Sequence, residues 1–215
     1  MNTEEKFVIT VSREIGSGGR TVGRKLAERL GVYYSDKDLI RELSRKFELT
    51  PYAIEKLKGE KKNWFADFIK FVAPVSKGSV FVDTNESIDP GFRSEVSSDE
   101  VFKAESEILR AIASEGSCVI AGRSGFFVLK DCPNKLDIFI TASRDKRIER
   151  VSRKQGFTPE QAGILIDDVD EGRENYIKRY TGTSRYDLRN YDLVLNMDNL
   201  TEDEAVDLIL EYIHA

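Results

Sequence analysis

Short apolar runs alternate with amphipathic segments along most of the 215-residue chain. Five of these runs are rich in β-branched and other apolar residues and predict buried strands. They begin near residues 7, 32, 117, 136 and 192. Between the runs, apolar residues recur three or four positions apart, as in helices with one buried face. Apolar strands that alternate with helices predict an α/β fold with a five-stranded parallel sheet covered on both faces.

Capping residues indicate where several helices begin and end. Side chains that can accept hydrogen bonds from first-turn N–H groups predict helix starts at Ser97, Ser143, Thr158 and Thr201. The first helix is predicted from Thr21 to Leu30, and Gly31 stands where a C-terminal cap belongs. These signals place most of the helices before any tertiary contact is considered.

One domain of residues 1–215 suits this length. Residues from about 36 to 100 predict a helical insertion on the substrate side, whose last part, 74–98, has no clear period and predicts a long loop or flap. The aromatic stripe near Trp64 is typical of a packing face, with base stacking as the alternative. An exposed helix there would suit a homodimer interface as well as a substrate lobe.

Charge and composition limit the classes of binding partner and the cellular location that we expect. The formal net charge is −5, which argues against bulk electrostatic binding to nucleic acid. No apolar run approaches the length of a membrane span, and the first residues lack the pattern of a signal peptide. Cys118 and Cys132 are the only cysteines and have no metal-site spacing. We therefore expect a cytoplasmic protein without nucleic-acid or membrane partners.

The scarcity of histidine restricts the chemistry. The only histidine is His214, next to the last residue of the chain. Serine or cysteine hydrolases with a catalytic histidine, and histidine-ligated metal sites, are therefore not expected. Phosphoryl transfer fits the remaining residue types, because it depends on positioning and charge neutralisation more than on a strong base.

A glycine-rich segment separates the first predicted strand from the first helix. Gly16, Gly18 and Gly19 lie within Ser12–Thr21. Glycines let the backbone curl so that its N–H groups face an anion, and the N-terminus of a helix adds partial positive charge. The segment predicts a phosphate cradle, with an unliganded turn between strand and helix as the alternative.

This segment departs from the usual phosphate-loop pattern G-x-x-x-x-G-K-[ST]. If Gly18 is the second glycine of the pattern, Gly19 stands in place of the lysine. A shift by one residue places Arg20 at the lysine and Thr21 at the hydroxyl, with Glu14 at the first glycine. We prefer this second register, because Arg20 can neutralise phosphate oxygens and the Thr21 hydroxyl can reach Mg²⁺.

Other polar residues follow the predicted strands. Ligands of open parallel sheets bind beyond the carboxyl ends of the strands, where the loop, Asp36 and Arg123 should meet. Arg123 can grip a phosphate with two parallel hydrogen bonds, or form a salt bridge across the rim. Asp36 can position a substrate hydroxyl or a metal-bound water, or cap the helix that follows.

A basic region from about 144 to 185 predicts a lid. Arg147 and Arg150 lie in a dense run of arginines that suits closure over a triphosphate, although a solvated helix face is the default interpretation of such a run. Arg173 and Arg179 are further candidate phosphate contacts on the next helix.

Three stretches of this sequence resemble the cytidylate kinase-like proteins, relatives of the bacterial cytidylate kinases. They are ITVSREIGSGGRTVGRKLAERLG at the start, CVIAGRSGFF with IFITAS in the middle, and YDLVLNMDNLT near the end. The resemblance implies a three-layer P-loop NTPase fold with a helical lid and a variable insertion. It also implies transfer of the γ-phosphoryl group of ATP to a nucleoside monophosphate, with Mg²⁺.

Carried over residue by residue, the resemblance makes Gly16–Thr21, including Ser17, the ATP-binding loop. Arg123 becomes an arginine that binds the acceptor monophosphate, and Arg173 and Arg179 become lid arginines. Two departures are clear: the loop lysine is missing, and Ser124 stands where the family has aspartate in a Gly-Arg-Asp turn. The sequence thus predicts a small-molecule kinase, with a non-catalytic nucleotide-binding module as the alternative.

Overall fold

The computed structural model describes residues 1–36 and 98–214, and they form one parallel sheet with helices on both faces. The five strands are β1 Val8–Arg13, β2 Tyr33–Asp36, β3 Cys118–Ala121, β4 Lys135–Thr141 and β5 Leu193–Asn196. Their order across the sheet is β2-β3-β1-β4-β5, and every neighbouring pair is parallel. The predicted fold class and all five predicted strands are confirmed.

Helices connect these strands. In the described ranges they are α1 Gly19–Leu30, α2 Ser98–Glu115, α3 Gly125–Val128, α4 Arg144–Gln155, α5 Pro159–Thr181 and α6 Glu202–His214, with a 3₁₀ turn at Leu188–Asn190. The sequence pattern missed α3 and the 3₁₀ turn, because segments of three or four residues are too short to show a period. The segments predicted between residues 37 and 97 lie outside the described residues.

Three of the four predicted N-caps form as hydrogen bonds, and the fourth, Ser97, lies outside the described residues. The Ser143 hydroxyl accepts from the Lys146 N–H, and Thr158 forms a complete capping box with Gln161. The Thr201 hydroxyl accepts from the Glu204 N–H. Gly31 ends α1 in the left-handed conformation, with φ of +66°. Because these bonds are local, they could be predicted from short sequence windows.

Two apolar layers enclose the sheet. One packs β1 and β4 against α1 and α6, and the other packs β1 and β3 against α2 and α3. Ile9 and Val11 belong to the first layer and Val8 to the second, since successive side chains of a strand point to opposite faces. Of the helices within residues 1–36 and 98–214, none is long and apolar enough to cross a bilayer.

The strand register shapes the rim where a ligand would bind. β1 is the central strand, and its pairing with β3 ends where Val11 lies opposite Ala121. Its pairing with β4 continues for two more residues, to Arg13 opposite Ile140. The end of β1 therefore projects beyond the end of β3, and the chain turns away at Gly122 directly beside it.

Tyr191 closes the core beside β4. Its ring packs against Phe139 and Phe126, with centroid distances of 5.1 and 5.5 Å. Its hydroxyl donates to the carbonyl oxygen of Arg185 at 2.8 Å. Burial raises the pKa of Tyr191 to about 12, from the ordinary value of 10.0, although a hydrogen bond with Ser12 opposes the rise.

This shift predicts a loss of stability at alkaline pH. Above pH 10 the unfolded tyrosine ionises while the folded one stays neutral, so the free energy of unfolding should fall by about 1.4 kcal/mol per pH unit from Tyr191 alone. Tyr191→Phe removes that contribution. Urea denaturation at pH 9 and pH 11 should therefore show a smaller decline for the variant than for the native chain. Equal declines would show that this hydroxyl is not protected.

Candidate active site

The loop between β1 and α1 has the backbone that its glycines predict. Gly16 and Gly18 have φ of +77° and +88°, in the left-handed region that favours glycine. Gly18 is also the N-cap of α1, and the first helical bond runs from the Val22 N–H to the Gly18 carbonyl. The preceding N–H groups lie at the positive end of the helix, next to the carboxyl end of β1.

The loop is packed closely against its surroundings. Ser17 is buried, and its hydroxyl donates to the Glu14 carbonyl at 2.9 Å. A Cβ atom at Gly16 would lie 2.8 Å from the carbonyl oxygen of Arg147 on α4. A Cβ atom at Gly19 would lie 2.6 Å from the Cβ of Arg13. Glycine is therefore required at both positions by the close approach of other atoms.

A buried carboxylate ties the lid region to this loop. Asp170 of α5 is 7% exposed, and its Oδ1 accepts from the Ile15 N–H at 3.2 Å. Three arginines surround the carboxylate: Arg147 at 2.5 Å, Arg185 at 3.4 Å and Arg173 at 3.5 Å. Asp170 therefore joins α4, α5 and the segment after α5 to the phosphate loop.

The arginines of the lid region contact loop carbonyls. Arg150 donates to the Gly16 carbonyl at 2.8 Å, and Arg173 to the Arg13 carbonyl at 3.4 Å. Arg185 also donates to the Arg13 carbonyl, and Arg147 lies at the limit of a bond to the Ile15 carbonyl, at 3.5 Å. These side chains donate to carbonyl oxygens of the loop and of the end of β1, so they fix the curved backbone of the loop.

Arg185 is a residue that the sequence did not predict. It is 2% exposed, and its guanidinium lies 5.8 Å from the ring centre of Phe139 and 5.2 Å from that of Tyr186. It stands in an irregular segment between a glycine and the 3₁₀ turn, where no periodic signal exists. Only the tertiary structure brings it to Asp170.

Arg20 and Asp36 were both predicted site residues, and the structure brings them together. The Nε and Nη2 atoms of Arg20 each lie 2.9 Å from Oδ2 of Asp36, so the charge of Arg20 is shared with a carboxylate. Arg20 is the second residue of α1, which begins at Gly19. The preference for the second register rests on Arg20 neutralising phosphate, but its charge is paired with Asp36, so we adopt the first register, with Gly19 at the lysine position.

The turn after β3 is strained and contains a cation whose side chain is 11% exposed. Arg123 and Ser124 have φ of +56° and +54°, and each non-glycine residue in that region costs about 1–2 kcal/mol. Arg123 pairs with Glu105 of α2 at 2.6 Å, and Glu105 also accepts from the Tyr176 hydroxyl at 2.9 Å. Burial raises the pKa of Tyr176, so that hydroxyl remains a donor at neutral pH.

Two nitrogens of Arg123 make no hydrogen bond to the part of the chain that the structure describes. Its Nε and Nη2 atoms are buried and make no hydrogen bond within residues 1–36 and 98–214. Buried donors are almost always paired in folded proteins, and backbone strain concentrates at functional sites. Orphaned donors on a strained turn at the end of a strand indicate a place for an anion.

The remaining predicted residues lie in different settings. Thr21 is half-buried in the first turn of α1, next to the loop. Arg179 is exposed and pairs with Asp99 at 2.9 Å, at the far end of α5. The structure thus brings Thr21 close to the loop and leaves Arg179 on the outer surface of α5 and α2.

A hollow of about 350 Å³ opens beside Asp170. Its lining consists of Arg147, Ile166, Asp167, Asp170, Glu171, Glu174 and Tyr186. Four carboxylates repel phosphate, so the hollow is not where an anionic ligand would bind. Within the described part of the chain, no group of three or more His, Cys, Asp or Glu residues is arranged to hold a metal ion. The glycine loop and the Arg123 turn remain the candidate site.

A comparison with known families agrees with this geometry. The family described as the cytidylate kinase-like family matches residues 8–199, which span the loop, the Arg123 turn and the lid region. The chain belongs to the cytidylate kinase-like family.

Relatives and solved structures extend this result. The chain is 25% identical to a cytidylate kinase of Sulfurisphaera tokodaii, over 97% of this chain and 96% of the relative. The structure resembles that of an uncharacterized protein from Eubacterium ventriosum, with a TM-score of 0.67, 22% identity, and coverage of 98% and 99% of the two chains. A shikimate kinase from Bacteroides thetaiotaomicron has a TM-score of 0.50 at 14% identity, and 98% of this chain and all of that chain are covered.

Membership defines the class of this protein. Cytidylate kinase-like proteins are phosphotransferases with a P-loop fold, and the three-layer architecture described above is of that type. The family that the sequence resemblance indicated is thereby confirmed. In this chain the phosphate loop differs from the usual pattern, since Gly19 or Arg20 stands where lysine is expected.

Proposed function

We propose that this protein is an ATP-dependent small-molecule kinase that transfers the γ-phosphoryl group of ATP to a nucleoside monophosphate or a similar acceptor. The observation that carries the proposal is the glycine loop with left-handed φ angles, which opens α1 at the carboxyl end of the central strand. Such a loop directs backbone N–H groups and the positive end of a helix toward an anion. The cytidylate kinase relatives support the choice of acceptor class.

The loop residues Gly16–Thr21 would bind the phosphates of ATP. With Gly19 at the lysine position, Arg20 occupies the hydroxyl position and cannot bind a cation, so the hydroxyl of Thr21, the next residue of α1, would hold Mg²⁺. Mg²⁺ takes oxygen ligands and usually combines one or two protein oxygens with substrate phosphates. When bound, the ion would neutralise part of the charge on the β- and γ-phosphates. The arginines of the lid region, with Arg147, Arg150 and Arg173 at the loop and Arg179 further out, would keep the loop in shape and screen the transferred group.

Arg123 would bind the phosphate of the acceptor. Its Nη1 atom is taken by Glu105, while Nε and Nη2 are the orphaned donors. An anion in front of this turn would accept hydrogen bonds from both donors, and the energy of those bonds would offset the cost of the left-handed backbone. Asp36, which holds Arg20 at the end of β2, would orient the acceptor from the neighbouring strand. Ser124 has no carboxylate to offer, so we do not assign the base of the nucleotide.

The test is a thermal-shift screen followed by an assay of ADP formation. A ligand that binds only the folded state raises the melting temperature by mass action. We expect shifts with ATP and Mg²⁺ and with one monophosphate among CMP, dCMP, UMP, AMP and GMP, and ADP formation only when both substrates are present. Removal of Mg²⁺ by a chelator should abolish turnover. Nucleotide binding without turnover for any acceptor would instead support a non-catalytic module.

Arg123→Lys separates the role in the acceptor site from the role in the fold. The lysine can keep the ion pair with Glu105 but lacks the Nε and Nη2 donors, and it binds phosphate only as a point charge. We expect about a tenfold rise in the KM for the acceptor, with the KM for ATP unchanged. Arg110→Lys on α2, where the arginine is exposed and paired with Glu107, is the matched control. Unchanged acceptor KM in Arg123→Lys would remove this residue from the site.

A further inference from the structure

The phosphate loop lacks its lysine, yet an arginine side chain passes through the place where that lysine would begin. With Gly18 as the N-cap of α1, the residue in the lysine position is Gly19. A Cβ atom built on Gly19 would lie 2.6 Å from the Cβ of Arg13 and 3.2 Å from its Cγ. The stem of Arg13 therefore fills the space that a side chain at residue 19 would need.

The same side chain ends over a second glycine. A Cβ atom built on Gly122 would lie 2.1 Å from Nη1 of Arg13 and 3.3 Å from its Cζ. Gly122 is the first residue after β3 and has φ of +86°. Two glycines at the ends of different segments thus leave a path for Arg13, which runs from the start of α1 to the end of β3.

Within residues 1–36 and 98–214 the side chain of Arg13 forms no ion pair and no hydrogen bond, and only its backbone is bonded. Other arginines of the site do pair with carboxylates: Arg20 with Asp36, and Arg123 with Glu105. Arg147 pairs with Asp170. Among the described residues Arg150 also has no carboxylate partner, but its Nη1 already donates to the Gly16 carbonyl of the loop at 2.8 Å.

The backbone of Arg13 is held in place. Its carbonyl oxygen accepts from Arg185 and from Arg173, the latter at 3.4 Å. Its strand pairs with β4 up to Arg13 opposite Ile140. The side chain is half-buried. The cation is thus presented from a fixed backbone at the carboxyl end of the central strand, where parallel sheets bind their ligands.

We infer that Arg13 is the residue that replaces the missing loop lysine and binds the phosphate chain of ATP. This inference rests on the proposed function. In the reaction an oxygen of the acceptor phosphate bonds to the γ-phosphorus. The bond from that phosphorus to the β–γ bridging oxygen breaks, and its electron pair remains on ADP. Arg13 stabilises the charge that collects on the bridging and β-oxygens. An arginine can do so with two parallel bonds instead of one point charge.

Binding of a non-hydrolysable ATP analogue with Mg²⁺, measured by titration calorimetry, tests the assignment. Arg13→Met keeps the length of the stem and removes the charge. We expect it to weaken binding roughly ten- to hundredfold, the range for loss of a charged hydrogen-bonding partner. Arg13→Lys should recover part of the loss. Arg24→Met, which removes an exposed arginine of α1 paired with Glu28, should bind like the native protein. Circular dichroism checks that each variant is folded.

Gly122→Ala is a second variant that leaves Arg13 in the chain. Its methyl group would collide with Nη1 and displace the guanidinium, so affinity for the analogue should fall as in Arg13→Met. Gly182→Ala has the same left-handed strain, with φ of +71°, and no atom of another part of the described chain lies within 4 Å of the added Cβ. It should leave affinity unchanged.

The outcomes separate the inference from the function on which it rests. If the native protein binds no nucleoside triphosphate, the proposed function and this role of Arg13 both fail. If the native protein binds the analogue and Arg13→Met binds it equally well, only the assignment of Arg13 is overturned.

Discussion

Asp170→Asn should destabilise the fold by about 3 kcal/mol, the cost of removing one partner from a buried ion pair. The change preserves the shape of the side chain but leaves Arg185, which is 2% exposed, and Arg147 without their shared carboxylate. It also weakens the acceptor of the Ile15 N–H, so the loop loses an anchor. Denaturation by urea, followed by circular dichroism, measures the difference.

Asp167→Asn is the matched control for this prediction. Asp167 lies one turn earlier on α5 and pairs with Arg144 at 2.9 Å, but both side chains are exposed. Exposed pairs contribute little to stability because solvent screens them. The denaturation midpoint of Asp167→Asn should therefore stay close to that of the native protein. Equal midpoints for the two variants would show that Asp170 does not organise the arginine cluster.

Asp170 also shows what sequence analysis could have found. In the sequence it is one of many charged residues on a polar helix. In the structure it is buried with Ala162, Ile166 and Ile177, at the spacing of an apolar helical stripe. A carboxylate at a stripe position must meet a cation, since burial of a lone charge is very unfavourable. That signal was present, although it could not identify Arg185 as the partner.

Strands, caps and loop glycines were predictable because each depends on local chemistry. The apolar run of β3 is enough to predict a buried strand, and the capping box at Thr158 is enough to predict the start of a helix. The role of Arg20 could not be predicted from the local sequence, because the glycine-rich segment fits the phosphate-loop pattern in two registers. Its partner, Asp36, is 16 residues away and belongs to another strand. The path of Arg13 between Gly19 and Gly122 depends on strand order, which no window of sequence contains.

Gly16→Ala should disable the phosphate loop. Gly16 has φ of +77°, where an alanine costs about 1–2 kcal/mol. Its new Cβ would also lie 2.8 Å from the Arg147 carbonyl and 3.0 Å from Cγ2 of Val151. A backbone carbonyl in the first turn of α4 cannot move cheaply because the helix backbone holds it, so the loop must move instead. We expect a lower melting temperature and at least a tenfold loss of affinity for ATP, because a displaced cradle no longer directs its N–H groups at one point.

Gly156→Ala isolates the steric part of this effect. Gly156 ends α4 with φ of +70°, and among the described residues outside its own neighbourhood no atom lies within 4 Å of its added Cβ. It therefore has the same conformational strain as Gly16→Ala without the collision. The two variants should share a loss of about 1–2 kcal/mol in stability, measured by urea denaturation, while only Gly16→Ala loses additional stability and nucleotide affinity. Native affinity in Gly16→Ala would mean that the nucleotide does not depend on this loop. The contact of α4 with Gly16 would then serve the fold alone.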